Sequence, residues 1–165
     1  MAALLEKYDE ILEALLEALT DHYGSRLVSC AVFGSVGRRT PRWGSDVDVL
    51  LVVDGLPRGR MKRVEEFLPV EARLEPVLRD VPDPKTAPEL SPIIKSREEV
   101  DARPLILLDM VEDARILHDP EGFLAGALDR LRRRLQELGS RRVRRGNAWH
   151  WVLKPDLQPG EVFEL

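Results

Sequence analysis

Apolar residues recur three or four positions apart through the first twenty residues, at Leu4, Leu5, Tyr8, Ile11, Leu12, Leu15, Leu16 and Leu19. That spacing places them on one stripe and predicts an amphipathic helix over residues 3–20, ended near Gly24. The period then changes. "RLVSCAVFG" is β-branched and almost wholly apolar, as a buried strand requires, and an arginine- and glycine-rich loop follows it. "DVDVLLVVD" reads as a second buried strand, closed by the turn formers of "GLPRG".

Beyond this pair of strands the pattern is more broken. Residues 60–69 have helical character. "ARLEPVLRDV" alternates Leu74, Pro76 and Leu78 against Arg73, Glu75, Val77 and Arg79, predicting a third strand that Pro76 confines to an edge or bulge. The proline-dense "VPDPKTAPELSP" reads as a loop. Ser96 followed three positions later by Glu99 is a capping-box signature for a short helix, interrupted by Pro104 before "LILLDMVED" resumes. "ARILH" is a candidate fourth strand. Asp119 and Pro120 open a last helix, striped by Leu124, Leu128, Leu131, Leu135 and Leu138, and the tail after it suggests short strands joined by Pro-Gly turns. Helices and strands mixed in this way predict one domain over residues 1–165, α+β in class, with a motif core at 27–80 and a C-terminal helix and strands at 120–165.

Chemistry concentrates at the mouth of the second strand. Asp46 and Asp48 share a face there, with Cα atoms about 7 Å apart, and two carboxylates entering an apolar strand repel one another unless cations or strong hydrogen bonds compensate. Divalent metal is the natural remedy, because Mg²⁺ binds through one or two carboxylates together with substrate phosphates. Gly34 ends the preceding strand where the backbone must turn, and Ser35 adds a hydroxyl and N–H groups suited to an anion. Arg38, Arg39 and Arg42 stand in the connecting loop, where they could neutralise a triphosphate. Each piece is common by itself; apolar strand, Gly-Ser, ten intervening residues, Asp-x-Asp and a second apolar strand are hard to assemble by chance.

The G-S-x₁₀-D-x-D arrangement of Gly34, Ser35, Asp46 and Asp48 resembles the signature of the DNA polymerase β nucleotidyltransferase superfamily, and the small chain resembles its minimal nucleotidyltransferase branch of archaea and thermophiles. The resemblance implies a mixed β-sheet flanked by helices, with the two aspartates holding two Mg²⁺ ions and Gly-Ser contacting the phosphates of ATP or another nucleoside triphosphate. It implies a third carboxylate on a neighbouring strand, for which Glu75 is the best candidate and Asp80 the alternative. It further implies transfer of AMP to a hydroxyl, such as a tyrosine of a HEPN-type toxin acting as partner in trans, with this chain as the antitoxin. Two alternatives stand beside that reading: a nucleotide-binding antitoxin that neutralises by contact alone, and a nucleotidyltransferase acting on a small molecule.

Composition narrows the picture. With 44% hydrophobic and 33% charged residues, the 165-residue chain is neither disordered nor membrane-spanning, and its acidic, amphipathic start is unlike a signal peptide, so a cytoplasmic location is expected. Net charge is −4, yet eight arginines lie between Arg130 and Arg145. They make either an RNA-binding stripe or a solvated helix face, the second being commoner in an acidic protein. Trp149 and Trp151 share strand parity, which favours packing over base stacking. Lys154 could reach a phosphate, though its turn explains it as well. The lone Cys30 fits a small buried side chain, His22 and His118 have no second ligand at metal spacing, and nothing in the pattern fixes whether the chain forms a homo-oligomer.

Overall fold

The computed structural model describes residues 2–145 and 148–165. Its elements run in the order α1 (Ala2–Tyr23), β1 (Leu27–Val32), α2 (Gly34–Gly37), β2 (Val47–Val53), α3 (Arg60–Arg79), β3 (Leu90–Lys95), α4 (Arg97–Asp101), α5 (Leu107–Asp113), β4 (Arg115–His118), α6 (Phe123–Glu137), β5 (Arg141–Arg145) and β6 (Ala148–Val152). Four strands form a mixed sheet in the order β3-β2-β1-β4, and β5 with β6 makes a separate hairpin. β1 is antiparallel to both β2 and β4, while β2 and β3 are parallel. The α+β architecture and the mixed sheet flanked by helices are as expected.

Strand alternation divides the core between the two faces of this sheet. Val47, Val49, Leu51 and Val53 of β2 pack with α1 and with Phe67, Val70, Leu74 and Leu78 of α3. Leu50 and Val52 point the other way, against Leu107, Met110 and Val111 of α5 and the leucine stripe of α6. Both faces of β1 and β2 are therefore covered, which is why their sequences are apolar at nearly every position. Cys30 lies in the first of these layers, and burial pushes its thiol up to about 12, the unreactive state of a small core residue.

The strand expected at 72–81 is helix. α3 continues unbroken through Pro69 and Pro76 to Arg79, because Phe67, Val70, Leu74 and Leu78 repeat at helical spacing and bury against the sheet. The third strand lies instead in the proline-rich stretch, as β3 at the sheet edge. An edge is where a strand tolerates Pro92, whose missing N–H interrupts only the unpaired side.

Ser96 and Glu99 form a complete capping box on α4, as expected. α6 begins later than Asp119 and Pro120 predict, at Phe123 with Gly122 in left-handed conformation at its N-cap, but Asp119 still reaches the helix start, accepting from the N–H groups of Leu124 and Ala125 while it also accepts the buried hydroxyl of Ser29 at 2.7 Å. The arginine run is split between α6 and β5. Much of it is engaged with acidic partners: Arg130 with Asp101, Arg132 with Asp129, Arg134 with Glu137, and Arg142 with Glu112 and Asp113. Trp149 and Trp151 fall on β6, where Arg142 lies over the Trp149 ring. Among the described residues no helix is long and apolar enough to cross a membrane.

Candidate active site

Parity within β2 aims the site. Val47 and Val49 face α1 and α3, so Asp46 and Asp48 project from the opposite face, at the open mouth of the sheet. Asp48 is half-buried and Asp46 exposed. β1 delivers Gly34 directly against them. Gly34 holds φ +64, and a Cβ built on it would stand 2.4 Å from Oδ2 of Asp48; the carboxylate occupies the volume that any larger residue at position 34 would need. The backbone locks this contact, since the Phe33 N–H donates to the Asp48 carbonyl at 3.0 Å.

Burial holds the Asp48 carboxyl above the usual carboxylate range, the adjacent Asp46 charge pushes it further, and a hydrogen bond from Ser91 and the charge of Arg38 partly offset both. Ser91 comes from β3, directly across from Asp48 in the ladder.

The loop between Gly-Ser and the aspartates is fixed from outside. Tyr8, buried on α1, donates its hydroxyl to the carbonyls of Ser45 at 2.7 Å and Arg42 at 3.0 Å, and the Thr40 N–H donates to the Ser35 carbonyl at 2.8 Å. Arg38 donates to Asp113 at the end of α5 at 2.9 Å, and Arg142 of β5 donates to the same carboxylate at 2.7 Å. Burial would raise the Asp113 carboxyl, but these two guanidiniums outweigh it and hold it below its ordinary value. Arg39 turns toward Asp9 of α1, at 3.1 Å, a carboxylate it shares with Arg115. The structure thus gathers Gly34, Asp46 and Asp48, with Ser35 beside Gly34 on α2 and Arg38 close enough to bias Asp48, and ties Arg39 to α1.

Glu75 is not brought in as the expected third strand would have done. It lies on α3, which packs on the face of the sheet opposite to Asp46 and Asp48, and its exposed side chain pairs weakly with Arg79 at 4.0 Å. Asp80, just past the end of α3, takes the Lys7 ammonium at 2.8 Å. The strand that does flank β2 presents Ser91 beside Asp48, and Glu89 two residues earlier, whose carbonyl accepts from the Val47 N–H at 2.8 Å. Among the described residues no three His, Cys, Asp or Glu side chains are close enough to hold a metal ion. Two hard carboxylate oxygens side by side, one of them half-buried, still suit Mg²⁺, which takes its remaining ligands from phosphates and water. Sequence reasoning missed Tyr8, Ser91, Asp113 and Arg142; Ser91 alone had a local signal, the apolar "II" that follows it.

A family model described as a nucleotidyltransferase domain matches residues 12–115. A Methanocaldococcus jannaschii protein that carries the provisional name protein adenylyltransferase is 25% identical over 129 residues, covering 75% of this chain and 80% of its own. Among solved structures, a spectinomycin adenyltransferase from Enterococcus faecialis with ATP and spectinomycin superposes with a TM-score of 0.52 at 14% identity, over 78% of this chain and 66% of that one. A toxin-antitoxin structure with AMP-PNP matches over 77% of this chain and 91% of that one, at 14% identity and a TM-score of 0.48.

Proposed function

Because this chain belongs to the nucleotidyltransferase domain family, we propose that it transfers AMP from ATP to a hydroxyl on a protein, with Asp46 and Asp48 as the metal-binding carboxylates. The observation that carries this reading is the contact of the Asp48 carboxylate with side-chain-free Gly34, which fuses the acidic pair and the phosphate seat into one place. Mg²⁺ held by Asp46 and Asp48 would supply charge neutralisation for the triphosphate. Gly34 leaves room for a phosphate close to the backbone, Ser35 offers its hydroxyl, and Arg38, steadied by Asp113, meets the negative charge that grows on the departing group.

In the reaction the acceptor oxygen forms a bond to the α-phosphorus, the bond from that phosphorus to the bridging oxygen breaks, and pyrophosphate leaves. The hydroxyl proton passes to water at the exposed mouth. Positioning and charge do most of the catalysis. A protein acceptor is favoured by the name of the Methanocaldococcus jannaschii relative, and the resemblance to minimal nucleotidyltransferases favours a tyrosine on a HEPN-type toxin supplied in trans.

The test is transfer of label from α-³²P-ATP with Mg²⁺ to a co-purified partner protein. Asp46→Asn and Asp48→Asn are each expected to lower transfer by at least about a hundredfold, the scale of losing one preorganised electrostatic group, while circular dichroism stays unchanged. Equal labelling by both variants and the parent would exclude the reading. Among the described residues no third carboxylate joins the pair, which favours a second reading, in which the chain binds nucleotide and neutralises its partner by contact; neutralisation that survives both substitutions distinguishes it.

A further inference from the structure

Arg142 differs from its neighbours in the arginine run. Its side chain is 13% exposed, against 51% for Arg130 and 45% for Arg132. Its planar fork spans both oxygens of Asp113, with Nη1 donating to Oδ1 at 3.1 Å and Nη2 to Oδ2 at 2.7 Å. Arg38 takes the place that remains, donating from Nη1 to Oδ2 at 2.9 Å. Among the described residues that is the single hydrogen bond of the Arg38 side chain, which is otherwise open to solvent. The backbone keys the same parts together. A Cβ on Gly37, the residue before Arg38, would stand 2.6 Å from the Asp113 carbonyl oxygen, so α2 rests directly on the end of α5. The hairpin aims Arg142 at this junction: Trp151, its ladder partner, packs against the core of α5 and α6, and the Arg142 guanidinium lies 4.9 Å over the Trp149 ring.

We propose that Arg142 is a positioning residue for the nucleotide: by taking both oxygens of Asp113 it leaves Arg38 tethered by one hydrogen bond, with its charge and its other N–H groups available to a triphosphate. One buried carboxylate between two guanidiniums leaves a surplus of positive charge, and Arg38 is the more exposed of the two. Glu112 also accepts from Arg142, at 3.3 Å, but is 53% exposed and offsets little of that surplus. Without Arg142, both Asp113 oxygens would fall to Arg38, and a fork-to-carboxylate pair would neutralise the very group that meets the phosphates. The terminal hairpin thus tunes a charge beside Gly34 and Asp48. An Arg142 that merely anchored the hairpin would support folding without acting through Arg38, and this separates the two roles. The proposal rests on the reading of Gly34, Arg38 and Asp48 as the nucleotide site.

The test is calorimetric titration of the full chain, in Mg²⁺, with an ATP analogue whose α- and β-phosphorus are bridged by methylene, so that no pyrophosphate can leave. Arg142→Met is expected to weaken binding about tenfold, the scale of one charge-assisted hydrogen bond. Arg38→Met should weaken it at least as much. Adding Arg142→Met to Arg38→Met should then cost nothing further, the signature of a residue that acts through another. Arg142→Lys keeps the stem and the charge but cannot span both oxygens, and a loss of about threefold is expected, again only while Arg38 is present; this variant answers the question if Arg142→Met does not fold. Losses that add in the double variants, or unchanged affinity in both Arg142→Met and Arg142→Lys, overturn the proposal. If the parent binds no analogue, or Arg38→Met binds it as well as the parent does, the nucleotide site itself fails and the role of Arg142 falls with it.

Discussion

Gly34 and Asp48 make a single unit at the residue scale. A methyl group at position 34 would meet the Asp48 carboxylate at 2.4 Å and would also have to accept φ +64, a backbone region that costs side-chain-bearing residues of order 1–3 kcal/mol. Gly34→Ala is therefore expected to lower stability by about that amount and to abolish transfer, because relief comes by displacing Asp48. Urea denaturation and the labelling assay measure the two effects, and full activity in this variant would show that the Asp48 rotamer is not critical. The spacing in the sequence disclosed this unit well. Gly-Ser and Asp-x-Asp are chemically conspicuous, and strand parity alone fixes the aspartates to one face. What spacing could not disclose is that the two motifs touch.

At the scale of elements, the misreading of α3 is instructive. The alternation of Leu74, Pro76 and Leu78 against Arg73, Glu75, Val77 and Arg79 suggested a strand, whereas the burial that decides the matter follows Phe67, Val70, Leu74 and Leu78. Burying a helical stripe against a sheet outweighs the interior prolines. The true third strand was hidden by the reverse effect, since prolines around "SPIIK" masked a run that the β2 edge recruits. Moving the strand moves the candidate carboxylate. Glu75→Gln is expected to leave transfer within about twofold, as for a surface substitution, whereas Glu89→Gln, beside the mouth, should lower it more. The same labelling assay ranks them, and a larger loss for Glu75→Gln would restore the earlier assignment.

Across the whole molecule, Asp113 connects parts that no local pattern relates. It joins Arg38 of the loop between Gly34 and Asp46 to Arg142 of the terminal hairpin, two residues more than a hundred positions apart in the sequence. Its carboxyl is held below the unfolded value of about 3.9, so its contribution is fully present above that pH and is lost as pH falls through the lower, folded value. Asp113→Asn should cost about 2 kcal/mol near neutrality, the scale of a charged hydrogen bond. The difference in melting temperature between variant and parent should then shrink as pH falls below about 4. A difference independent of pH would show that the residue acts by packing alone.

The loop pinned by Tyr8 also carries Trp43, a residue 40% exposed, between the Gly34–Ser35 turn and the paired aspartates. The protein thereby contains an optical probe beside the proposed nucleotide site. Excitation of the indoles during titration with ATP and Mg²⁺ should change the emission, and Trp43→Phe should remove that change while leaving Trp149 and Trp151 to emit as before. An unaltered response in Trp43→Phe would place the nucleotide elsewhere. Occupancy could then be followed in unlabelled protein, in real time, and independently of whether any acceptor is present.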